Sequence, residues 1–206
     1  NPSQVKTCVG TLDGLTPSPQ LGMRSFQLLL ARYTEQSEFL VGYSDQGIWM
    51  AVSSSVDEDV TCRSFTSSIG STSEGLQSEV RLGFVFGAIP HSDAPRRMDF
   101  LVQIDPTQNA EQKLILHFDS SLFRDATAQS ILSHYVALLQ GLFENTDLPV
   151  HRLPMLSETE TDILTFQRNK TSVPRDPSDT LVSLFERQVE ATPTSTALVL
   201  GETALT

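Results

Sequence analysis

The feature that most constrains the fold is one continuous stretch, residues 112–143, in which a strand runs directly into a long helix. Leu114, Leu116 and Phe118 alternate with Ile115 and His117, which is the period of a strand with one buried face. After a polar turn, apolar residues recur at steps of three and four, at Ile131, Leu132, Tyr135, Leu138, Leu139 and Leu142. Arg124 or Asp125 opens this helix. Because its continuous apolar face needs a sheet to lie against, the stretch predicts an α/β fold.

The bulk properties exclude several classes of protein. A chain of 206 residues is long enough for one domain, or for one domain and a fragment. The net charge is −11 and only 14 Lys and Arg are scattered along the chain, which argues against a nucleic-acid partner. No window approaches the roughly 18 apolar residues of a membrane span, so we expect a soluble cytoplasmic protein without a membrane partner. Cys8 and Cys62 are expected to be free thiols, since one possible bridge in a chain of this size is typical of a reduced compartment.

The first third of the chain reads as strand, helix, strand, strand. A short strand is predicted at Lys6–Gly10, and Ser18 followed by Pro19 predicts a helix that continues to about Glu35. Strands are predicted at 37–43 and 47–52. The run FQLLLARYTEQSEFLVG, from Phe26 to Gly42, resembles a segment of the condensation domain of nonribosomal peptide synthetases, in which a helix ending in Leu-Ala-Arg-Tyr-Thr leads into a strand ending in Gly.

Residues 112–143 resemble the same family. HFDSSLF, from His117 to Phe123, and HYVALLQGLF, from His134 to Phe143, are similar to the late part of a condensation domain. Strands are also predicted at 81–88 and 98–104. The second is expected to form an antiparallel hairpin with the strand that begins residues 112–143. The resemblance implies one C-terminal lobe of a chloramphenicol-acetyltransferase-like condensation fold, with a mixed, largely antiparallel sheet and flanking helices.

The resemblance breaks at residues 53–78, which are rich in Ser, Thr and Gly and predict a loop or a weak helix around Phe65 and Ile69. In the family this interval is longer and contains a segment that lines the acceptor channel. The shortening favours a degenerate lobe.

Beyond Asn145 the chain changes character. LPVHRLPML is an extended segment, Ser157 and Glu160 form a capping-box pattern before a helix to about Arg168, and a polar linker leads to a second helix at Leu181–Ala191. This order resembles the condensation–adenylation linker and the leading edge of an adenylation domain. The resemblance implies a condensation-like lobe at 1–150, a linker at 151–178 and an adenylation fragment at 179–206. The candidates for interdomain packing are apolar residues of the last two segments: Leu153, Leu156, Leu164, Phe166, Leu181, Leu184, Phe185 and Val189.

No catalytic, cofactor-binding or metal-binding residue is predicted. Condensation domains use a His-His-x-x-x-Asp-Gly motif, whereas His91, His117, His134 and His151 stand alone. His117 and Asp119 lie on the same face at the end of a strand, and an imidazole and a carboxylate placed in this way can bind a metal or relay a proton. A structural role for Asp119, as a turn residue, is favoured instead. The resemblance implies that phosphopantetheine on a carrier domain, and ATP with Mg at the adenylation domain, belong to the parent protein.

Three functions stay open. The leading hypothesis is a truncated, non-catalytic condensation-like region that serves as a scaffold for an adenylation domain in cis, with a peptidyl carrier domain as a further partner. The second is one lobe of an active condensation domain that forms amide bonds between carrier-bound aminoacyl groups. The third is a module that binds a small ligand or pantetheine in an apolar pocket, lined by Phe39, Trp49, Phe84 and Phe86.

Overall fold

The computed structural model describes residues 4–12, 14–45, 47–67, 69–74, 80–90, 98–106, 112–174 and 176–206. The chain divides into two compact units, residues 1–161 and residues 162–206. The domain boundaries implied by the resemblance, after residues 150 and 178, stay a prediction about the parent protein.

The first unit contains a seven-stranded mixed sheet. Its strands are β1 (Val5–Gly10), β2 (Glu38–Asp45), β3 (Ile48–Ser55), β4 (Ser71–Glu74), β5 (Leu82–Phe86), β6 (Phe100–Pro106) and β7 (Gln112–Asp119). They lie in the order β1-β7-β6-β5-β2-β3-β4. The neighbours β6/β5 and β5/β2 are parallel and the other four pairs are antiparallel. The predicted antiparallel pairing of β6 with β7 is confirmed.

Two long helices cover one face of this sheet. Helix α1 (Pro19–Thr34) begins at Ser18, whose hydroxyl accepts from the Leu21 N–H, and helix α3 (Asp125–Glu144) begins at Arg124. The hydroxyl of Tyr135 on α3 donates to the carbonyl of Gly22 on α1 at 3.0 Å. A β-carbon at Gly22 would lie 2.5 Å from Phe84 Cζ, so the glycine allows α1 to approach the sheet closely. The main core lies between these helices and the sheet.

The opposite face of the sheet has a smaller apolar cluster, formed by Trp49, Val85 and Leu101. The pocket predicted from Phe39, Trp49, Phe84 and Phe86 is therefore wrong. Trp49 on β3 pairs with Ser44 on β2, and Ser44 pairs with Val85 on β5, whereas Phe84, in the main core, pairs with Tyr43 on β2. Because adjacent residues of a strand point to opposite faces, Trp49 and Phe84 are on different sides of the sheet.

The interval 53–78 has more regular structure than its composition predicts. Helix α2 (Cys62–Phe65) is capped by Thr61, and β4 pairs antiparallel with β3 at the edge of the sheet. Residues 68 and 75–78 of this interval lie outside the described residues. Three side chains of α1 hold the segment from α2 to β4, since Gln20 donates to the Thr66 carbonyl, Arg24 to that of Phe65 and Gln27 to that of Ile69.

The chain after α3 forms short elements. A 3₁₀ turn spans Val150–Arg152, helix α4 spans Glu158–Asp162, and a π-helical turn spans Ile163–Gln167. In the second unit, helix α5 spans Leu181–Ala191, as predicted, and begins at Thr180 with a reciprocal capping box to Ser183. The strands β8 (Leu198–Leu200) and β9 (Thr203–Leu205) form an antiparallel hairpin.

Candidate functional site

The most elaborate polar structure in the first unit holds the segment that leaves α3. Backbone hydrogen bonds join this segment to the residues around α2: Arg63 N to Thr146 O, Cys62 N to Leu148 O, Val150 N to Val60 O and His151 N to Glu58 O, at 2.8–3.0 Å. This ladder explains why a Pro-containing segment with little regular secondary structure has a fixed path. The backbone groups of the two segments thus pair with each other, as the strands of a sheet do.

Arg32, near the end of α1, fastens the same segment. Its Nη1 donates to the Leu153 carbonyl at 2.7 Å, and its Nη2 donates to the Val150 carbonyl at 2.9 Å. Nη2 and Nε also donate to one carboxylate oxygen of Glu58, at 3.0 and 3.2 Å. The arginine side chain is 14% exposed and the glutamate side chain 30% exposed. One guanidinium therefore joins α1, the loop before α2 and the outgoing chain.

Tyr33, the next residue, is the first member of a second connection. Its hydroxyl lies 2.7 Å from Nδ1 of His134 on α3, and Nε2 of His134 lies 2.8 Å from a carboxylate oxygen of Glu160 on α4. Because an ionised carboxylate only accepts, Nε2 donates to Glu160. Nδ1 accepts from the Tyr33 hydroxyl in one ring form and donates to its oxygen in the other. Burial, and then the negative charge of Glu160, raise the pKa of Tyr33, so the phenol is protonated at neutral pH.

We call Arg32, Tyr33, Glu58, His134 and Glu160 the exit anchor. The predicted capping box at Ser157 is half formed: the Ser157 hydroxyl accepts from the Glu160 N–H at 3.1 Å, while the Glu160 carboxylate binds His134.

The sequence offered one signal for this site, namely the Arg-Tyr pair at the end of the α1 motif. It offered none for the pairing of that motif with residues more than a hundred positions later.

The candidates for interdomain packing differ in burial. Leu153 is buried in the first unit and packs against Gly141, since a β-carbon added at that glycine would lie 3.1 Å from Leu153 Cδ2. Leu156 is half-buried. Leu184 is half-buried, and the remaining candidates are exposed: Leu164, Phe166, Leu181, Phe185 and Val189. Their role in packing between domains stays a prediction.

His117 and His151, the other histidines that the structure describes, have structural partners. Nε2 of His117 lies 2.9 Å from Oε1 of Gln103, whose Nε2 donates to the Gly87 carbonyl. Burial lowers the pKa of His117, so its ring is neutral at pH 7. Asp119 accepts from the backbone and hydroxyl of Ser121, as expected of a turn residue. His91 lies outside the described residues.

The described ranges contain no cluster of three or more His, Cys, Asp or Glu that could hold a metal ion. No helix in the described part of the chain is long and apolar enough to cross a membrane. Cys8 and Cys62 are free thiols, as predicted, and burial raises the pKa of each.

Comparison with known proteins relates the chain to one group of enzymes. No protein-family model matches the sequence. Bacitracin synthase 1 of Bacillus licheniformis is 35% identical over 100 residues, which are 47% of this chain and 2% of that protein. The chain thus spans a very small part of the curated relatives that it matches.

Solved structures agree with this relationship at the level of the fold. A four-domain nonribosomal peptide synthetase bound to AMP and glycine matches 95% of this chain and 21% of its own, with a TM-score of 0.68 and 11% identity. The starter condensation domain of rhizomide synthetase matches 76% of this chain and 49% of its own, with a TM-score of 0.58 and 8% identity. The first unit thus has the fold predicted from the sequence, one lobe of a condensation domain.

Proposed function

We propose that this chain, a partial condensation region related to the nonribosomal peptide synthetases, is a non-catalytic scaffold for an adjoining adenylation domain. The observation that carries the proposal is the exit anchor. Arg32 of α1 binds the outgoing chain directly at Leu153, and its neighbour Tyr33 binds His134, which in turn binds Glu160 of that chain. A scaffold must fix the chain that leads to the next domain, and the anchor meets this requirement.

The comparisons support an adenylation domain as the partner in cis. The starter condensation domain covers about three quarters of this chain, whereas the four-domain synthetase, bound to AMP and glycine, covers 95% of it. The second unit also presents exposed apolar residues on a single helix and a hairpin of three-residue strands. Because such small elements cannot bury a core of their own, we infer that they are completed by further adenylation-domain structure. A peptidyl carrier domain, ATP with Mg and phosphopantetheine belong to this proposal as partners and cofactors of the parent enzyme.

The test uses the parent protein in three forms: intact, without residues 1–161, and with the anchor substitution Arg32→Met. Amino-acid-dependent exchange of pyrophosphate into ATP measures adenylation, and chromatography of the carrier-bound products measures condensation. We expect the deletion and Arg32→Met to lower the yield of soluble protein or the rate of exchange. We expect no amide product from any of the three.

Arg63→Met is the matched control. Arg63 contacts the same outgoing segment, through Thr146 and Asp147, but its guanidinium is 70% exposed and its ion pair is 3.4 Å long. An exposed pair of this kind contributes little, so the control should behave as the wild type. Full adenylation after the deletion, together with an amide product that requires the lobe, would overturn the scaffold proposal.

That same outcome would establish the second candidate, one lobe of an active condensation domain. A specific observation favours it: this chain matches 49% of the starter condensation domain with a TM-score of 0.58, as one lobe of a working pair would. The two functions therefore differ in one measurable respect, which is whether an amide bond forms when the lobe is present.

A further inference from the structure

Two cavities of similar size open on the first unit, and each has one aspartate in its lining. The first, of about 520 Å³, lies at the start of α1 and the end of β2, and its lining includes Pro19, Gln20, Tyr43, Asp45, Ile69 and Gly70. The second, of about 540 Å³, lies between β1 and the start of α3, and its lining includes Lys6, Asp125 and Gln129. We call them the Asp45 cavity and the Asp125 cavity.

The two aspartates differ in their counter-charge. Both carboxylate oxygens of Asp125 lie 2.9 Å from Nζ of Lys6, so the second cavity already holds a paired cation. Asp45 is half-buried, and among the described residues no Lys, Arg or His forms an ion pair with it or lines its cavity. A carboxylate that has lost part of its hydration is stabilised by a cation beside it. The Asp45 cavity therefore has an uncompensated negative charge.

The other polar groups of the Asp45 cavity are mostly acceptors. Nε2 of Gln20 donates to the Thr66 carbonyl, which leaves the amide oxygen of Gln20 as an acceptor. The Ile69 carbonyl accepts one hydrogen bond, from Gln27, and has a second lone pair. Burial, and then the charge of Asp45, raise the pKa of Tyr43 to about 12, so its phenol is neutral at pH 7. Such a lining favours a ligand with several donors.

The beginning of α1, which borders this cavity, offers little to an anion. Pro19 has no backbone N–H, and the Leu21 N–H already donates to the Ser18 hydroxyl. Together with the carboxylate of Asp45, this excludes phosphate-like and carboxylate ligands on charge. The lining also has apolar surface, supplied by Pro19, Ile69 and the ring of Tyr43. The cavity thus combines a negative charge with a surface that suits a hydrocarbon stem.

We propose that the Asp45 cavity binds a small primary ammonium compound with a short apolar stem. A primary ammonium group has one positive charge and three N–H donors, which match the carboxylate of Asp45 and the neutral oxygens of Gln20 and Ile69. The Asp125 cavity is the internal comparison, because Lys6 already places an ammonium group beside its aspartate. The proposal concerns the lobe itself and does not rest on the proposed function.

Nuclear magnetic resonance of the ¹⁵N-labelled 206-residue protein tests this binding, with n-butylammonium chloride as the probe. We expect saturable shifts of the Gln20, Tyr43 and Gly70 amides, with a Kd on the order of a millimolar for so small a ligand. The amides of Lys6 and Gln129, at the Asp125 cavity, should not show them. n-Butanol has a similar stem but no charge, and it should bind about tenfold more weakly or not at all, since a charged hydrogen bond is lost. Potassium chloride at the same concentration should not displace the probe.

Asp45→Asn removes the charge and should weaken binding about tenfold or more. Glu38→Gln is the matched control, because Glu38 is an exposed carboxylate at the other end of β2, and this variant should bind as the wild type does. Equal binding by Asp45→Asn and the wild type, or equal binding of n-butanol, would overturn the proposal. So would shifts centred on the Asp125 cavity, displacement by potassium, or no saturable shift. If Asp45→Asn does not fold, the comparison of n-butylammonium with n-butanol on the wild type decides alone.

Discussion

The substitution Arg32→Met gives the sharpest test of the exit anchor. Methionine keeps the unbranched stem that packs along α1 but removes every donor of the guanidinium. The four hydrogen bonds to Leu153, Val150 and Glu58 are lost together. Both carbonyls and the carboxylate then have to find water or remain unpaired.

The size of the effect follows from these contacts. Hydrogen bonds that involve a charged group contribute about 1.5 kcal/mol or more each, so the two carbonyl bonds together account for about 3 kcal/mol. The Glu58 pair is partly exposed, which limits it to about 1 kcal/mol. Partial hydration of the freed groups lowers the total, and we expect a loss of about 3 kcal/mol in the free energy of unfolding. For a chain of this length that corresponds to a fall of about 6–12 °C in Tm.

Urea unfolding, followed by circular dichroism, and amide hydrogen exchange measure the loss. We expect faster exchange at Val150 and Leu153 in Arg32→Met, because their carbonyls no longer hold the segment in place, while the centre of α3 exchanges as before. Arg63→Met should change the free energy of unfolding by less than about 0.5 kcal/mol. Equal destabilisation by the two variants, or unchanged exchange at Leu153, would refute the anchor.

Two further predictions concern the core and the sheet. Gly22→Ala should cost about 1–3 kcal/mol in urea unfolding, because its β-carbon would overlap Phe84, whereas Ser25→Ala in the same helix should cost less than 1 kcal/mol. The stability of the protein should fall as pH falls below 6.5, in part because burial lowers the pKa of His117, so the unfolded chain takes up a proton that the folded chain does not. His117→Gln, compared with the wild type between pH 7.5 and 5, should reduce this fall, and an identical pH dependence in the two proteins would contradict it.

Local patterns predicted most elements of the first unit. Ser18 before Pro19 placed the start of α1, and the alternation from Leu114 to Phe118 placed β7, because capping and strand periodicity depend on neighbouring residues. The hairpin of β6 and β7 followed from two such strands in succession. The resemblance added the lobe architecture, which periodicity alone does not specify.

Non-local pairing accounts for what the sequence did not predict. The interval 53–78 reads as a loop by composition, yet β4 forms because β3 offers an unpaired edge, and α2 is held by side chains of α1. The predicted aromatic pocket failed for a related reason, since the strand register places Trp49 and Phe84 on opposite faces. Neither outcome can be read from residues close together in sequence.

The exit anchor explains why the Leu-Ala-Arg-Tyr-Thr motif contains Arg and Tyr in that order, which the end of a helix alone does not require. Successive residues of a helix point about 100° apart, so adjacent side chains can reach two different neighbours. Arg32 reaches the Val150–Arg152 turn and Leu153, while Tyr33 reaches His134 and, through it, Glu160. Exchanging the two residues would direct each functional group to the wrong neighbour. The order Arg-Tyr is therefore a requirement of the outgoing chain, and it links the most specific motif of α1 to the segment that leads to the second unit.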